Sequence, residues 1–272
     1  MQAKWYDNFV YRVPEIRHRY QMYRSKGNGK IKSLLYLLWL NFSCFIFQDR
    51  TLRESMVTIP NGKLLNKSSG MFSVELLCKY DVISFDVFDT LLFRTCEAPE
   101  DVFEKILPEK ENFKELRKTA EQTMRKRLLQ TRETTEVTIE EIYHYLEQKH
   151  GIAKKLRDKE VEIEQKVCYA NQSLHFIVNQ LKEYGKRVII TSDMYLGADV
   201  IKELLTNAGY EQFDAYYVSC DYRASKFEGE LYGIVREKES CYGTTFVHIG
   251  DDEVSDVKRA LKYGFDAYYY KK

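Results

Sequence analysis

The sequence predicts an α/β protein built on a doubly wound, mostly parallel sheet. Short apolar runs that end in polar or acidic residues recur along residues 80–272, and charged segments of helical character separate them. Strands that alternate with helices form parallel sheets covered by helices on both faces. The 272 residues suffice for one large domain with a cap and an extension. A hydrophobic content of 44% and a charged content of 31% are those of a globular protein and exclude a disordered chain.

The first 79 residues differ from the rest in charge. Their 13 Lys/Arg and 5 Asp/Glu give +8, and the total of +1 therefore leaves −7 for residues 80–272. A basic stretch leads into an apolar run at residues 33–47, which Asn41 interrupts and which is shorter than the roughly 20 apolar residues of a spanning helix. We expect a helical extension here, and a cytoplasmic protein.

Two interpretations of this basic, aromatic-rich extension stay open. Packing against the catalytic body or a protein partner is favoured, because most apolar helices of soluble proteins belong to a core. Docking on an anionic membrane surface is the second interpretation, since basic residues beside Trp and Phe suit that surface. Residues 58–70, rich in Gly, Asn, Ser and Pro, are predicted to be a loop or linker.

The remaining elements follow in order. Val82–Phe85 is predicted to be a buried strand. Helices are expected to begin near Pro99 and at Thr138, where Glu141 stands three residues later and completes a capping box. Further elements are a strand at residues 185–190, a helix at Ala198–Asn207, and strands at Ala215–Val218, 245–249 and 265–270.

Four chemically suggestive clusters lie where these strands end, and the carboxyl ends of parallel strands meet at one edge of a sheet. Asp86 follows the first strand and can attack phosphorus as a carboxylate nucleophile. The hydroxyls of Thr191 and Ser192 suit a phosphoryl oxygen, and Lys226 can offset the charge of nucleophile and phosphate. Carboxylates at Asp251, Asp252 and Asp256 suit an oxygen-preferring ion such as Mg²⁺.

In this order the clusters resemble the four motifs of the haloacid dehalogenase (HAD) superfamily. Asp86 to Thr90 matches its first motif, Ser192 (or Thr191) its second, Lys226 its third, and Gly250-Asp251 with Asp256 its fourth. The resemblance implies a Rossmann-like HAD core at residues 80–99 and 176–272. It also implies a helical cap at residues 100–175, between the first and second motifs, and leaves residues 1–79 as the extension.

The resemblance also implies roles for single residues. Asp86, Ser192 and Lys226 would be catalytic. Mg²⁺ would be held by Asp86, the backbone carbonyl of Phe88 and Asp251, with Asp256 or Asp252 assisting, and phosphate would be bound by Thr90, Thr191, Ser192 and Lys226.

One position departs from the family pattern. HAD phosphatases usually carry an acid/base Asp two residues after the nucleophile, and this chain has Phe88 there. Proton transfer by a positioned side chain contributes about 10²–10⁴ in rate, so leaving groups that need a proton are expected to react slowly. The family's dehalogenases also lack that Asp, but their sites need no metal, so the acidic fourth cluster favours phosphate chemistry.

A narrower resemblance rests on Phe85 to Leu92 and Thr191 to Leu196, which are similar to predicted HAD hydrolases found with bacterial surface-polysaccharide synthesis genes. Two functions follow. The first is an Mg²⁺-dependent phosphohydrolase acting on a small phosphorylated metabolite, such as a sugar phosphate or nucleotide-linked intermediate, with no nucleic-acid partner. The alternative is a catalytically weak domain that serves a glycan-assembly complex as a binding or scaffolding component, docked through residues 1–79.

Overall fold

The computed structural model describes residues 10, 13–54, 60–65, 72–132 and 134–271. The chain divides into two compact units. One comprises residues 1–60 and 125–135, and the other comprises residues 61–124 and 136–272.

The first unit is helical in its described part, so the predicted helical extension is present. Its helices are α1 (Pro14–Ser25), α2 (Lys30–Phe45) and α3 (Arg50–Glu54). Pro14 occupies the first position of α1, where its fixed φ suits a helix start and its missing N–H is not needed. The three helices share a small apolar core of Val10, Val13, Ile16, Tyr20, Leu37, Leu40, Cys44 and Leu52.

The second unit contains a five-stranded parallel sheet, which confirms the predicted architecture. Its strands are β1 (Val82–Phe85), β4 (Arg187–Ser192), β5 (Ala215–Val218), β6 (Phe246–Gly250) and β7 (Asp266–Tyr269). Their order is β5-β4-β1-β6-β7, so β1 lies in the middle with all four residues buried. Because β1 pairs in parallel with β4 and β6, their carboxyl ends adjoin.

Helices surround this sheet and form the insertion after β1. The helices of the second unit are α4 (Val74–Leu77), α5 (Asp101–Ile106), α6 (Phe113–Arg132, whose last turns belong to the first unit), α7 (Ile139–His150), α8 (Leu156–Val167), α9 (Gln172–Glu183), α10 (Ala198–Asn207), α11 (Ser219–Tyr222), α12 (Glu230–Glu239) and α13 (Ala260–Lys262). A short antiparallel ribbon of β2 (Leu92–Arg94) and β3 (Cys168–Ala170) brackets α5 to α8. The stretch predicted to be a cap is therefore helical and joined to the core through a two-stranded base.

Most local predictions agree with these bounds. Thr138 caps α7 and forms the predicted capping box with Glu141, and α10 begins and ends at the predicted residues. Within the predicted loop at residues 58–70, the described residues 60–63 belong to no helix or strand, and Leu64 forms a parallel bridge with Ala267. The rest of that prediction lies outside the described residues. Among the described helices, none combines the length and apolarity that a membrane span requires.

Candidate active site

Asp86 follows directly after β1, the central strand of the sheet, all four residues of which are buried. Its backbone N–H donates to the carbonyl of Ile249 on β6 at 2.9 Å, so the chain is still held to the sheet where the carboxylate emerges. The next residues turn sharply, and Asp89 adopts a left-handed φ of 61°. Asp86 itself is 7% exposed, which leaves its side chain almost entirely removed from water.

Lys226 joins two of the predicted clusters by direct contacts. Its Nζ lies 2.5 Å from Oδ1 of Asp86 and 2.6 Å from Oδ1 of Asp256. Burial alone would lower the pKa of Lys226, but the two carboxylates outweigh burial and raise it. The ammonium therefore stays protonated between the two carboxylates.

The two carboxylates that share Lys226 differ in acidity. Burial raises the pKa of Asp86 to about 7, with the charge of Asp256 adding to the rise and Lys226 opposing it. Burial also disfavours ionisation of Asp256, but Lys226 and the hydrogen bond from His248 outweigh it, so the pKa of Asp256 lies well below its usual range. Two neighbouring carboxylates with separated pKa values are typical of catalytic sites.

A third carboxylate completes an acidic group. One carboxylate oxygen from each of Asp86, Asp251 and Asp256 lies within 4.8 Å of the other two. Such an all-oxygen set suits a hard divalent cation such as Mg²⁺. Thr90, predicted to bind phosphate, donates its hydroxyl to Asp251 Oδ1 at 3.4 Å.

Asp252 occupies a different position from this group. Its Oδ1 accepts from the backbone N–H groups of Val254 and Ser255, at 2.9 and 2.6 Å, and so caps a π-helical segment, Glu253–Arg259. Asp256 lies on that segment, and its Oδ2 accepts from the N–H of Asp252 at 2.9 Å. Of the two predicted assisting ligands, Asp256 is the one that faces Asp86 and Lys226.

Gly250 makes room for Asp256. A Cβ at position 250 would lie 2.3 Å from Cγ of Asp256, closer than any real Cβ contact. A glycine at the end of β6 is thus a steric requirement of the buried carboxylate.

A buried polar chain runs through the sheet beneath these groups. Ser84 Oγ lies 2.8 Å from both Thr191 Oγ1 and His248 Nδ1, and His248 Nε2 lies 3.2 Å from Asp256 Oδ1. The hydroxyl of Thr191 is therefore engaged inside the sheet. Ser192, the last residue of β4, is buried, and no side-chain hydrogen bond occupies it within the described part of the chain.

Asp193 was not among the predicted site residues, yet it positions Lys226. Its carboxylate accepts the backbone N–H of Lys226 at 2.6 Å and that of Phe227 at 2.9 Å. Burial raises the pKa of Asp193 to about 6, while the Lys226 charge opposes the rise. The only sequence signal was its place directly after Ser192, at the end of the second cluster.

Phe88 takes part in a stacking contact at the position of the missing acid/base. The guanidinium carbon of Arg94 lies 4.0 Å from the centre of its ring. Arg94 in turn makes two hydrogen bonds, of 2.9 and 3.2 Å, to the buried carboxylate of Glu164 on α8. Arg94 on β2, oriented by Glu164 of the insertion, therefore packs against one face of the Phe88 ring.

A cavity of about 460 Å³ borders this ring. Phe88, Asp89 and Asp193 line its core side, and Lys118 and Glu121 of α6 are among the residues that line the opposite side. The carboxyl-end edge of the sheet thus opens to a space with aromatic, cationic and anionic walls. The predicted carbonyl ligand of Phe88 lies in the same turn.

Pairing of distant strands explains which polar residues were missed. Ser84 and His248 each interrupt an apolar strand, and they are register partners on β1 and β6. His248 lies inside β6, and its ring is fully buried. Its contact with Asp256 depends on strand order, which local patterns do not contain.

Comparisons with known proteins show similarity in fold. No protein-family model matches the sequence, and no curated protein matches it either. A HAD-family enzyme from Bacteroides thetaiotaomicron superposes over 70% of this chain and 92% of its own, with 19% identity and a TM-score of 0.50. The same enzyme has been crystallised in complex with magnesium and inorganic phosphate (18% identity, 70% and 93% coverage, TM-score 0.48).

Two further solved structures are similar to this chain. The HAD-hydrolase YfnB from Bacillus subtilis, bound to magnesium, has 18% identity over 70% of this chain and 88% of its own, with a TM-score of 0.48. L-2-haloacid dehalogenase from Xanthobacter autotrophicus has 13% identity over 70% and 77%, with a TM-score of 0.48. At 19% identity and a TM-score of 0.50, the similarity to the Bacteroides enzyme concerns the fold alone.

Proposed function

We propose that this chain, which has the fold of HAD-family enzymes, is an Mg²⁺-dependent phosphohydrolase that forms an aspartyl-phosphate on Asp86. The observation that carries the proposal is the Lys226 ammonium held between Asp86 and Asp256, with Asp251 beside them. A carboxylate nucleophile, a fixed cation and further carboxylates for a metal are the parts that phosphoryl transfer to an aspartate needs.

The extra carboxylates support phosphate chemistry over halide displacement. A metal-free displacement by Asp86 gains nothing from Asp251 and Asp256, because their charges oppose ionisation of the nucleophile. Bound by Asp86, Asp251 and Asp256, with the Phe88 carbonyl as a further donor, Mg²⁺ would neutralise this charge and that of a phosphoryl group.

Each residue of the site has its own role in the proposed reaction. An oxygen of Asp86 attacks phosphorus, the bond from phosphorus to the leaving oxygen breaks, and water then hydrolyses the acyl-phosphate and regenerates the carboxylate. Lys226 stabilises the negative charge throughout, and Ser192 donates its hydroxyl to a phosphoryl oxygen. Asp193 keeps the Lys226 backbone in place. Because Thr191 bonds to Ser84, we assign the phosphoryl contact to Ser192 alone.

The substrate that fits this site is a small phosphorylated metabolite. Helices α5 to α8 act as the cap, and the cavity beside Phe88 offers Lys118, Glu121 and Arg94 to a polar, hydroxyl-bearing group. A sugar phosphate or nucleotide-linked intermediate of polysaccharide synthesis has that chemistry.

The test is a hydrolysis screen over sugar phosphates and nucleotides with and without Mg²⁺, combined with chemical trapping of the acyl-phosphate. Asp86→Asn should lose both the trapped intermediate and turnover. Asp199→Asn, which changes an exposed carboxylate outside the site, is the matched control and should keep both. Turnover by Asp86→Asn equal to that of the unmodified chain would contradict the proposal.

One observation favours the second candidate, a catalytically weak domain used for binding. The Phe88 ring with Arg94 against it occupies the position where the acid/base would stand. If the chain binds Mg²⁺ and phosphate but forms no acyl-phosphate with any substrate, this second function replaces the first.

A further inference from the structure

Helix α2 carries large apolar side chains that are exposed along one side. Ile31, Leu34, Leu35, Leu38, Trp39, Phe42 and Phe45, continued by Ile46 and Phe47, are between 39% and 77% exposed. We call these nine side chains the open apolar face. At roughly 100 Å² each they form a patch on the order of 900 Å², whereas the largest apolar patch of a typical monomer is about 300–600 Å².

The other side of the same helix is already packed. Leu37, Leu40 and Cys44 are buried in the apolar core that α2 shares with α1 and α3. The open apolar face therefore does not result from an unfolded or unpacked helix. It is a second apolar surface on a helix whose first is already buried, and an exposed apolar patch of this size is typical of a protein or membrane interaction site.

Positive charge accompanies this face and negative charge is missing from it. Arg24, Lys26, Lys30 and Lys32 are all exposed, and the two last lie on opposite flanks of the face at 100° per residue. The sequence contains no Asp or Glu between Glu15 and Asp49. A cationic, carboxylate-free apolar surface is complementary to an anionic one.

We propose that the open apolar face docks α2 flat on an anionic lipid bilayer. The helix has 16 residues, about 24 Å at 1.5 Å per residue, and would lie in the plane of the interface with Trp39 and the phenylalanines among the acyl chains. The basic residues at its start would contact lipid phosphates. The inference is independent of the chemistry proposed for Asp86.

Charge also argues against a second copy of this chain as the occupant. Two copies joined through the face would bring together basic segments without a compensating carboxylate, and like charges across an interface are costly. A bilayer that contains anionic lipid turns the same charges into an attraction worth about 1 kcal/mol per Lys or Arg near the surface, or about fivefold in affinity each.

Vesicle binding of the full chain tests the proposal. In sedimentation assays, we expect stronger binding to vesicles of phosphatidylcholine with phosphatidylglycerol than to phosphatidylcholine alone. Lys26→Gln, Lys30→Gln and Lys32→Gln together should weaken binding to the anionic vesicles on the order of 100-fold. Equal binding to both vesicle types would overturn the anionic selectivity and with it the proposal.

The apolar contribution is tested at exposed positions that the fold does not need. Leu38→Glu with Phe42→Glu should reduce vesicle binding at least tenfold. A matched control, Phe176→Glu with Tyr184→Glu, changes two exposed aromatic residues of the second unit and should leave vesicle binding unchanged. Circular dichroism of both variants verifies folding.

Trp39 provides a readout that does not depend on a loss of binding. The chain has two tryptophans, so Trp5→Phe leaves Trp39 as the only one. Its emission should shift to the blue and resist quenching by iodide when anionic vesicles are added. Unchanged emission, or a blue shift that instead tracks protein concentration without lipid and so reports self-association, would overturn the proposal.

Discussion

Asp193 is a carboxylate that acts on the site through another residue. By accepting two backbone N–H groups it fixes the turn that carries Lys226, and its side chain is half-buried there. Burial of an ionised carboxylate without a salt bridge costs free energy, which is the reason for its raised pKa. A positioning residue of this kind is difficult to predict, because its partners are backbone atoms 33 and 34 positions away along the chain.

A pH dependence of stability follows from Asp193. Its pKa of about 6 in the folded chain exceeds that of an unfolded Asp, so the protonated carboxyl favours folding. This contribution is complete below the unfolded pKa and is lost as the pH rises through about 6. Between pH 4 and 7 the stability of the wild type relative to Asp193→Asn should fall on the order of 2 kcal/mol.

Urea denaturation of both proteins across this pH range measures that difference. If the stability of the wild type relative to Asp193→Asn stays constant or increases with pH, burial does not disfavour the ionised form of the Asp193 carboxyl group.

Gly250 allows a residue-scale test of the acidic group. Gly250→Ala places a Cβ against the Asp256 carboxylate, which must then move away from Lys226. We expect Mg²⁺ affinity by titration calorimetry to fall at least tenfold, in line with the effect of disturbing metal-site geometry. Gly29→Ala is the matched control, because no atom lies within 4 Å of its added Cβ. An unchanged affinity in Gly250→Ala would show that Asp256 does not contribute to metal binding.

If the chain is the proposed phosphohydrolase, the side chain at position 88 should determine which leaving groups it accepts. Without a general acid, activated aryl phosphates, whose leaving groups need no proton, should be hydrolysed far faster than alkyl phosphates. Phe88→Asp should narrow this gap by raising the alkyl rate. The gain in rate should stay below the usual factor of about 10²–10⁴. Arg94 would lie beside the new carboxyl group, and its positive charge would lower the pKa of that group and so disfavour the protonated form that acts as the acid.

Steady-state kinetics on a matched aryl and alkyl phosphate pair measures the effect. If both substrates lose activity equally in Phe88→Asp, the Phe88 ring has a role in binding that the missing proton does not explain.

At the scale of elements, α7 connects the insertion to the loops of the site. Its capping residue Glu141 also binds Arg223, which follows α11, at 2.8 and 3.1 Å. The N–H of Ile139 donates to the carbonyl of Tyr195 at 2.9 Å. The start of α7 is thus tied to the two loops that carry Asp193 and Lys226. The capping box was predictable from local spacing, whereas its second partner was not.

The insertion is held together by a buried ion pair. Arg117 on α6 makes two hydrogen bonds, of 2.9 and 2.8 Å, to Glu160 on α8, and both side chains are fully buried. Tyr143 on α7 donates its hydroxyl to the same carboxylate at 2.7 Å. Three helices are therefore oriented by one carboxylate.

Removing this carboxylate should destabilise the insertion strongly. Glu160→Ala leaves the Arg117 charge buried without its main partner, which costs about 3–5 kcal/mol in comparable buried pairs. Urea denaturation gives the free energy of unfolding. Glu162→Ala, on the exposed side of the same helix, is the control and should leave that free energy unchanged, since exposed ion pairs contribute little. Similar losses in both variants would argue against a special role for the buried pair.

At the scale of the whole molecule, the two units carry different proposed sites. The second unit holds every proposed catalytic residue, and the first holds the open apolar face. Helix α6 belongs to both. The proposed catalytic residues and the proposed membrane-docking face therefore lie in separate parts of one chain.

Mg²⁺ should act on one of these units. At a concentration of 100 times its Kd, a ligand that binds only the folded state stabilises it by about 2.7 kcal/mol. Hydrogen exchange should slow at the ends of β1 and β6 and remain unchanged in α1 and α2. Asp251→Asn should remove the protection. Equal protection of both units would contradict a metal site confined to the second.

By itself, the sequence determined the α/β class, the strands and helices of the sheet, and the four clusters with Asp86, Ser192, Lys226 and Asp251. These signals are local: apolar runs define buried strands, and polar residues directly after them must lie at the carboxyl edge. The absence of the usual acid/base Asp at position 88 was also predictable, because it follows from the spacing to Asp86 alone.

Only the tertiary structure decided which of these groups meet and which surfaces stay open. Asp256 rather than Asp252 contacts Lys226, the hydroxyl of Thr191 bonds to Ser84, and Asp193 accepts hydrogen bonds from a backbone segment far along the chain. The apolar run in α2 is buried on one side and open on the other. Each of these contacts depends on residues far away along the chain. Hydrophobic periodicity shows only which side chains of a segment could be buried, so it does not determine these contacts.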